Sequence, residues 1–308
     1  MEREILRWLA DEFPAAPPVE LGIGDDAAIV RFSPDADRAV FTTDAVVDGV
    51  HFDLRLHAWE QVGRKAIAVN LSDLAAMGAR PVAVLISLVL PRETTLPQVQ
   101  ALYAGIRGIC REHQTQVIGG DTNVGPGPLV VATTAVGTLP HNQSAWRLKG
   151  AHCGDAVLVS GDLGGSLQGK HLDFQPRCAL ADYLAQRYPI HAATDISDGL
   201  VMDLDKLCRA SQLGAELQLG DIPIAWAARQ PDASPQAALE HALYDGEDFE
   251  LLLLCDPATA ERILHDPLLP TPLTRIGVCE REPGIRGRNA DGEPQKLPIR
   301  GYSHGASP

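Results

Sequence analysis

Six short stretches of the chain each place an acidic residue beside glycine, serine or threonine. Isolated acids are ordinary on protein surfaces. Acids that recur with small and hydroxyl residues predict hard-cation sites, in which carboxylate and carbonyl oxygens collect Mg²⁺ around phosphate groups. The six stretches are Gly24-Asp25-Asp26, Thr42-Thr43-Asp44, Asn70-Leu71-Ser72-Asp73, Gly119-Gly120-Asp121, Asp195-Ile196-Ser197-Asp198 and Gly246-Glu247-Asp248.

The elements that would position these stretches can be predicted from the hydrophobic pattern. A helical pattern over residues 2–13 is followed by prolines, which end helices. The almost wholly apolar run over 82–90 is typical of a strand buried on both faces. The pattern predicts further strands at 27–32, 39–43, 116–119 and 129–139 and helices at 59–77 and 97–113.

Residues 140–154 are polar, contain several turn formers and interrupt the pattern. We expect the domain boundary there, which gives an N-terminal domain over 1–140 and a C-terminal domain over 141–308. The second domain is predicted to be α/β, and its Gly- and Pro-rich tail over 281–298 to loop outward. The predicted elements are strands at 156–160, 249–255 and 273–279 and helices at 176–187, 199–212 and 258–265.

Asp73 is the acid that is hardest to explain as surface chemistry, because it lies in an otherwise apolar helix. An unpaired carboxylate there would be costly to bury. Asn70 is three residues away and so shares a face with Asp73. A bound metal is one explanation, and an ion pair with Lys65 or Arg64 is the structural alternative.

The other stretches have both a functional and a structural interpretation. Asp26 can belong to a turn, and Asp44 can cap the end of a strand. Two glycines before Asp121 would allow a ligand to approach the backbone closely. Asp198 is a candidate helix N-cap. An N-cap role for Asp198 would not explain Asp195 and Ser197. These two residues precede the N-terminus of a predicted helix, and helix N-termini bind phosphate groups.

Bulk properties exclude several classes of protein. A length of 308 residues accommodates two cores, and a formal net charge of −14 argues against a nucleic-acid partner. A polyphosphate substrate would then require divalent cations to screen the acids. No stretch approaches the roughly 18 apolar residues of a membrane helix, and the N-terminal residues 1–6 do not form an apolar signal region, so we expect a cytoplasmic location.

Three further features have little functional weight. Six widely spaced cysteines without Cys-x-x-Cys indicate neither a zinc site nor a disulfide framework, and the histidines show no metal-ligand spacing. The segment 164–171, Gly-Gly-Ser-Leu-Gln-Gly-Lys-His, resembles a phosphate-binding Walker A loop. It has His171 where that loop requires a magnesium-binding Ser or Thr.

Taken in order, the acidic stretches resemble those of the thiamine-monophosphate kinases. These enzymes belong to an ATP-binding superfamily that includes aminoimidazole ribonucleotide synthetase, selenophosphate synthetase and a hydrogenase-maturation protein. The most specific segments are the Asp73 helix, Gly49-Val50-His51-Phe52 and Gly246-Glu247-Asp248-Phe249-Glu250-Leu251. The resemblance implies an α+β or α/β fold, with an N-terminal mixed sheet that pairs across a homodimer and a C-terminal α/β domain that covers the site.

The resemblance also implies an activity, namely phosphoryl transfer from ATP to thiamine monophosphate. Because the acceptor is already a phosphate, no catalytic general base is expected. Several Mg²⁺ ions would be held by Asp26, Thr42, Thr43, Asp44, Asp73, Asp121, Asp195 and Asp198. ATP would contact Tyr103, Gly120, Asp121, Arg147 and Ser197, and the thiamine phosphate would contact His51, Glu247 and Tyr302. The family usually has Arg at the position of Leu148, so Arg147 or Lys149 would take over that nucleotide contact.

Two alternatives stay open at this point. Another kinase or synthetase of the superfamily is the nearer one, although the first cysteine is Cys110 and the chain has no C-terminal cysteine, which selenophosphate synthetase and the hydrogenase-maturation protein respectively would require. A non-catalytic sensor of divalent cations or nucleotides would use the same acids without turnover.

Overall fold

Two mixed β-sheets with associated helices make up the part of the chain that the computed structural model describes, which comprises residues 8–9, 12–33, 36–229, 234–289, 292 and 294–302. The predicted helix over residues 2–13 lies largely outside these ranges. Within them, no helix combines the length and the apolar character needed to cross a membrane.

The first sheet contains six strands in the order β1-β2-β3-β6-β4-β5. Its strands are β1 (Val19–Leu21), β2 (Ala28–Val30), β3 (Arg38–Val47), β4 (Arg80–Pro91), β5 (Gln116–Gly125) and β6 (Val130–Leu139). Two helices accompany it, α1 (Trp59–Ala76) and α2 (Leu96–Glu112). β4 and β5 are parallel because α2 connects them as a crossover, and the other pairs are antiparallel. The predicted mixed sheet is confirmed.

The prediction that residues 82–90 are buried on both faces is wrong. Side chains along β4 alternate between the two faces of the sheet, as in any strand. Val84, Ile86 and Leu88 are buried, whereas Leu85 and Val89 are about 40% exposed. The apolar composition therefore reflects one covered face and one open apolar face.

Helix α1 is the element on which both sheets pack. Most of its 18 residues are buried, and it contacts β3 and β6 of the first sheet as well as β8 and β10 of the second. A helix that is apolar on nearly all sides is typical of such a central position. Two glycines bring α1 close to α2: a Cβ on Gly63 would lie 2.0 Å from the Leu102 carbonyl oxygen, and one on Gly105 1.8 Å from that of Glu60.

The second sheet contains seven strands in the order β13-β12-β9-β11-β7-β10-β8. Its strands are β7 (Ala156–Ser160), β8 (Ala192–Asp195), β9 (Gly214–Gln218), β10 (Leu251–Cys255), β11 (Leu273–Glu280), β12 (Gly284–Arg288) and β13 (Pro294–Lys296). Its helices are α3 (Lys170–Asp173), α4 (Cys178–Ala185), α5 (Leu200–Ala210), α6 (Pro235–Tyr244) and α7 (Pro257–Leu264). Residues 140–155, between the two sheets, contain no helix or strand.

The outward loop predicted over 281–298 is also wrong. β12 pairs in parallel with β9, β13 pairs with β12, and Ile285 is completely buried. Buried and half-buried residues alternate along β12, but the sequence does not show this alternation because the strand consists mainly of glycines and arginines. The sequence pattern also missed β8 and β9, which are four and five residues long, and the ten-residue helix α6.

Candidate functional site

Four of the predicted metal ligands converge where the two sheets meet. Asp26 precedes β2, Asp44 lies on β3, Asp73 lies near the end of α1, and Asp195 is the last residue of β8. We call these four residues the acid cluster. They come from four elements separated by up to 169 residues in sequence, so only the tertiary fold assembles them.

Hydroxyl groups tie the acid cluster together across the two sheets. Thr42 Oγ1 donates a hydrogen bond to Asp73 Oδ2 at 2.6 Å, and Thr194 Oγ1 donates to Asp26 Oδ1 at 3.1 Å. Ser72 Oγ, next to Asp73 on α1, donates to Asp195 Oδ2 at 2.5 Å. These bonds fix the carboxylates in place and explain why hydroxyl residues accompany the acids in sequence.

The carboxylates of the acid cluster are held in an unfavourable electrostatic environment. Burial raises the pKa of Asp26 and Asp73 well above the usual value, and repulsion from neighbouring carboxylates adds to the shift. Burial likewise raises the pKa of Asp195 to about 7. Asp44 opens towards solvent, yet loss of surrounding water raises its pKa as well, although a hydrogen bond with Asp73 opposes the shift.

The donor set of the acid cluster fits Mg²⁺. Oδ2 of Asp26 is buried and has no hydrogen-bond partner in the part of the chain that is described. Carboxylate and hydroxyl oxygens are the ligands that hard divalent cations prefer, and such a cation would relieve the repulsion. These observations make the acid cluster a candidate magnesium site.

A cavity of about 250 Å³ opens beside Asp44 and Asp73. Its wall includes all three predicted thiamine-phosphate contacts, His51, Glu247 and Tyr302, together with Ser197 and Asp198. A larger cleft of about 720 Å³ lies between residues 140–146 and the segment after α4, but no acidic side chain lines it. A magnesium–phosphate site therefore corresponds to the smaller cavity.

Lys65 is a residue of this region whose role the sequence did not reveal. Its completely buried Nζ donates hydrogen bonds to Glu247 Oε1 at 2.7 Å and to the His51 carbonyl oxygen at 2.8 Å, and it lies 2.9 Å from His171 Nδ1. Burial lowers the pKa of Lys65. The sequence did contain a signal for a buried charge, because Lys65 lies on the same face of the helix as the apolar residues Val62 and Val69.

The proposed structural partners of Asp73 are wrong, because Lys65 pairs with Glu247. Arg64 instead forms an ion pair with Glu112, at 3.0 Å. Neither cation neutralises Asp73, so the need for another positive charge beside the acid cluster remains.

The loop that carries Glu247 has an unusual backbone. Glu247 and Phe249 have φ angles of +62° and +52°, in the left-handed region that side chains other than glycine rarely adopt. Hydrogen bonds from their N–H groups to the carbonyls of Ser197 and Ile196 hold this conformation. The same bonds bring Glu247 next to the 195–198 stretch.

The Walker-like segment does not present a free phosphate cradle. The N–H groups of Gly164 and Gly165 donate to the carboxylates of Asp248 and Asp245, respectively, at 2.9 Å. Burial raises the pKa of Asp248 to about 7. The glycines therefore bind the acidic 245–248 loop rather than offering their N–H groups to a ligand.

Asp198 lies at the rim of the cavity and is paired with a cation of the protein. Lys206 Nζ contacts Asp198 Oδ2 at 2.8 Å and Asp203 Oδ1 at 2.7 Å. Asp198 is not the helix N-cap. The residue before α5 is Gly199, and the N–H groups of Asp198 and Gly199 donate to Asp203 Oδ2.

Two predicted metal ligands lie away from the acid cluster within a single chain. Thr43 faces the opposite side of β3 from Asp44, because successive side chains alternate, and its hydroxyl donates to the Thr133 carbonyl. Asp121 lies on β5, three strand positions from β3 and so roughly 14 Å away. Its carboxylate accepts a hydrogen bond from Asn123 at 2.7 Å.

The predicted nucleotide contacts fall in four places. Gly120 lies on β5 beside Asp121, and a Cβ there would lie 1.8 Å from the Ile86 carbonyl oxygen, so close strand packing explains this glycine. Tyr103 lies on α2 and lines a separate cavity with Val117 of β5. Arg147 donates to Glu20 Oε1 at 3.0 Å, whereas Ser197 lines the cavity beside the acid cluster.

The fold and the acid cluster define the class of protein. The AIR synthase related protein N-terminal domain matches residues 24–139, and the corresponding C-terminal domain matches residues 143–287. The chain thus has the two domains of an AIR synthase related protein.

Comparison with individual proteins narrows this class. The chain is 39% identical to a thiamine-monophosphate kinase of Rhodopirellula baltica, over 99% of this chain and 98% of the relative, and 31% identical to that of Bacillus subtilis, over 93% and 94%. A solved structure of AaThiL complexed with AMPPCP and TMP superimposes with a TM-score of 0.84 at 29% identity, covering 98% of this chain and 96% of that one. The chain belongs to the thiamine-monophosphate kinase family.

Proposed function

We propose that this protein transfers a phosphoryl group from ATP to thiamine monophosphate, giving thiamine diphosphate and ADP. The observation that carries the proposal is the acid cluster, which opens into a cavity also lined by His51, Glu247 and Tyr302. The related structure that contains AMPPCP and TMP supports the same pair of substrates.

The Mg²⁺ ions would be held by the acid cluster, with Thr42 orienting Asp73. When bound, Mg²⁺ would neutralise charge between two phosphate groups that otherwise repel by about 4 kcal/mol per pair of unit charges at 4 Å and an effective dielectric constant of 20. Only one group of three or more His, Cys, Asp or Glu ligand atoms within 4.8 Å of one another occurs among the described residues, and it lies elsewhere. The carboxylate oxygens of the acid cluster are therefore more widely spaced than the ligands of a single enclosed ion. This spacing favours several ions that are shared with phosphate groups.

The chain's own residues would mainly orient the reactants. A phosphate oxygen of thiamine monophosphate is itself the nucleophile, so positioning replaces proton abstraction. Lys65 holds Glu247 in place from beneath the cavity, and His51 is fixed by the hydrogen bond that its Nδ1 accepts from the Val47 N–H at 3.1 Å. Tyr302 lines the same cavity, is 42% exposed and would stack on an aromatic ring of the substrate.

The protein would act as a homodimer in which residues 1–140 bind ATP and Mg²⁺ and provide the dimer contact, while residues 141–308 close the site. The open face of β4 carries the exposed apolar side chains of Val82, Leu85 and Val89. An apolar face of this kind favours association with a second copy. Such pairing would place β5 of one copy against the first sheet of the other.

Pairing of the sheets would also account for the position of Asp121. This residue is in register with Ser87, which is on the same open face as Leu85 and Val89. Since Asp121 lies about 14 Å from β3 of its own chain, we place it in the acid cluster of the partner copy. Gly120 and Tyr103 would accompany it to the nucleotide side of the shared site.

A mixing experiment tests this arrangement. Asp44→Asn and Asp121→Asn subunits, each inactive alone, would be unfolded, combined in equal amounts and refolded. If Asp121 acts in the partner's site, one site per heterodimer is intact and about a quarter of wild-type turnover returns, because half of the randomly paired dimers are heterodimers. Turnover that stays at the level of the separate variants would place Asp121 in the site of its own chain.

The activity itself is tested with purified protein, ATP, Mg²⁺ and thiamine monophosphate, with the products separated by chromatography. We expect equal amounts of thiamine diphosphate and ADP. Thiamine is the matched control acceptor, because it lacks the phosphate that would act as nucleophile. Binding of both substrates without turnover would instead identify a sensor, and preferential turnover of another phosphorylated acceptor would contradict the proposed substrate.

A further inference from the structure

Two histidines and an aspartate meet at the edge of the second sheet, outside the acid cluster. His152 lies in the segment between the two sheets, Asp155 immediately precedes β7, and His191 immediately precedes β8. His191 Nδ1 lies 2.8 Å from Asp155 Oδ2 and 3.2 Å from His152 Nδ1, and His152 Nδ1 lies 3.8 Å from Asp155 Oδ2. Three ligand atoms of the types that bind transition metals therefore face one another.

The spacing of these atoms matches a four-coordinate metal site. Ligand bonds of about 2.0–2.1 Å in a tetrahedron place neighbouring ligand atoms roughly 3.3–3.4 Å apart. The three observed separations of 2.8, 3.2 and 3.8 Å bracket this value. An ion could therefore enter with only small adjustments of the two rings.

Hydrogen bonding alone does not satisfy this group. Nδ1 of His191 carries at most one proton, and that proton can point fully along only one of its two short contacts. The other contact then joins two atoms without a proton directed between them. A cation among the three atoms satisfies every contact at once.

The protein backbone holds the three residues in place. The Asp155 side chain is only 4% exposed, and its Oδ2 also accepts a hydrogen bond from the His152 N–H at 2.7 Å, which orients the carboxylate. The His191 N–H donates to the Leu254 carbonyl at 2.8 Å. Gly150, at φ +147°, allows the segment between the two sheets to approach the His191 carbonyl. A Cβ on residue 150 would lie only 2.2 Å from that carbonyl oxygen.

We propose that His152, Asp155 and His191 form a binding site for a transition-metal dication of the Zn²⁺ type, ligated by both Nδ1 atoms and by Asp155 Oδ2. The His152 side chain is 71% exposed, so water has access to the fourth position. Imidazole nitrogens select Zn²⁺, Co²⁺ or Ni²⁺ over Mg²⁺. The bound ion would fasten the segment between the two sheets to β8, the edge strand of the second sheet.

The test is a titration of untagged protein with Zn²⁺ in excess Mg²⁺, which occupies the oxygen ligands of the acid cluster without competing for imidazole. Calorimetry should give one Zn²⁺ per chain, Co²⁺ should give the visible absorption of a four-coordinate ion, and Zn²⁺ should raise the midpoint of thermal unfolding. His152→Ala and His191→Ala should each weaken binding by roughly 100-fold or more, because loss of an outer-shell partner alone typically weakens binding 10–100-fold.

His265→Ala is the matched control, since His265 is 80% exposed and lies 3.8 Å from the carboxylate of Glu261. This variant should bind Zn²⁺ as the wild type does. Asp155→Asn, which keeps an acceptor for the His152 N–H, should fold normally and bind more weakly. Absence of Zn²⁺ binding, or binding that persists in either the His152 or the His191 variant, would overturn the proposal.

Discussion

Replacing Lys65 by methionine would test the buried ion pair beneath the cavity. The substitution keeps the length of the side chain and removes its charge, which leaves Glu247 Oε1 without the donor that lies 2.7 Å away. The pKa of Glu247, which burial would raise, is held below its usual value by His171 and Lys65. Without Lys65 the ionised carboxylate should therefore be strongly disfavoured in the folded protein.

The expected loss of stability follows from the burial of both partners. Removing one partner of a buried ion pair costs about 3–5 kcal/mol, because the remaining charge stays buried. The Lys65 side chain is completely buried but that of Glu247 is 18% exposed, so water can partly compensate. We expect the lower end of the range, about 3 kcal/mol. Adding Glu247→Gln removes the stranded charge and should recover about 1–2 kcal/mol of this loss.

Urea denaturation at neutral pH, followed by circular dichroism, measures these differences. Arg275→Met is the control: its ion pair with Glu261 has side chains that are 39% and 56% exposed, and its loss should cost at most about 1 kcal/mol. A loss for Lys65→Met no larger than for this control would refute the buried pair. A double variant no more stable than Lys65→Met would show that the stranded Glu247 charge is not the cause.

Three further predictions follow from the acid cluster and from the α1–α2 contact. Asp44→Asn should lower kcat by about 100–1,000-fold in steady-state assays, without lowering the unfolding temperature, because it removes a repelled carboxylate. Without Mg²⁺, stability should fall as pH rises from about 4 to about 7. The folded-state pKa of Asp195, about 7, exceeds its ordinary value of 3.8, so the folded protein holds a proton that the unfolded chain has released. The loss is on the order of 4 kcal/mol, and denaturation at several pH values with and without Mg²⁺ should show Mg²⁺ abolishing it. Gly105→Ala should cost about 1–3 kcal/mol in thermal or urea melts, because its Cβ would lie 1.8 Å from the Glu60 carbonyl oxygen. Gly108→Ala, on the same helix with open space around it, should be neutral or stabilising.

Some elements could be predicted because their signal is local. The sequence predicts α1 at 59–77, and the structure has it at Trp59–Ala76. The prediction succeeds because a long helical pattern is followed by Gly78, and glycine commonly ends a helix. The second β-sheet was harder to predict. Its strands are mostly four to eight residues long and include glycines, so neither β9 nor β12 has a distinctive pattern of its own.

Adjacent residues in the motifs show where the linear pattern misleads. Thr42 and Thr43 are neighbours in sequence, and the family resemblance implies that both bind metal, yet strand alternation directs only Thr42 towards Asp73. This rule was available from the sequence once β3 was predicted. The distance of Asp121 from the acid cluster was not, because it depends on the order of strands in the sheet.

The sequence by itself determined which chemical groups the protein has available: acids beside hydroxyl residues, in a chain too acidic to hold phosphates without cations. Such groups are recognisable because hard cations require a narrow set of oxygen ligands. Only the tertiary structure decided which groups meet. The Lys65–Glu247 pair spans 182 residues and the His152–His191 contact spans 39. These pairings result from the packing of α1 between the two sheets and from the strand order, which no local pattern encodes.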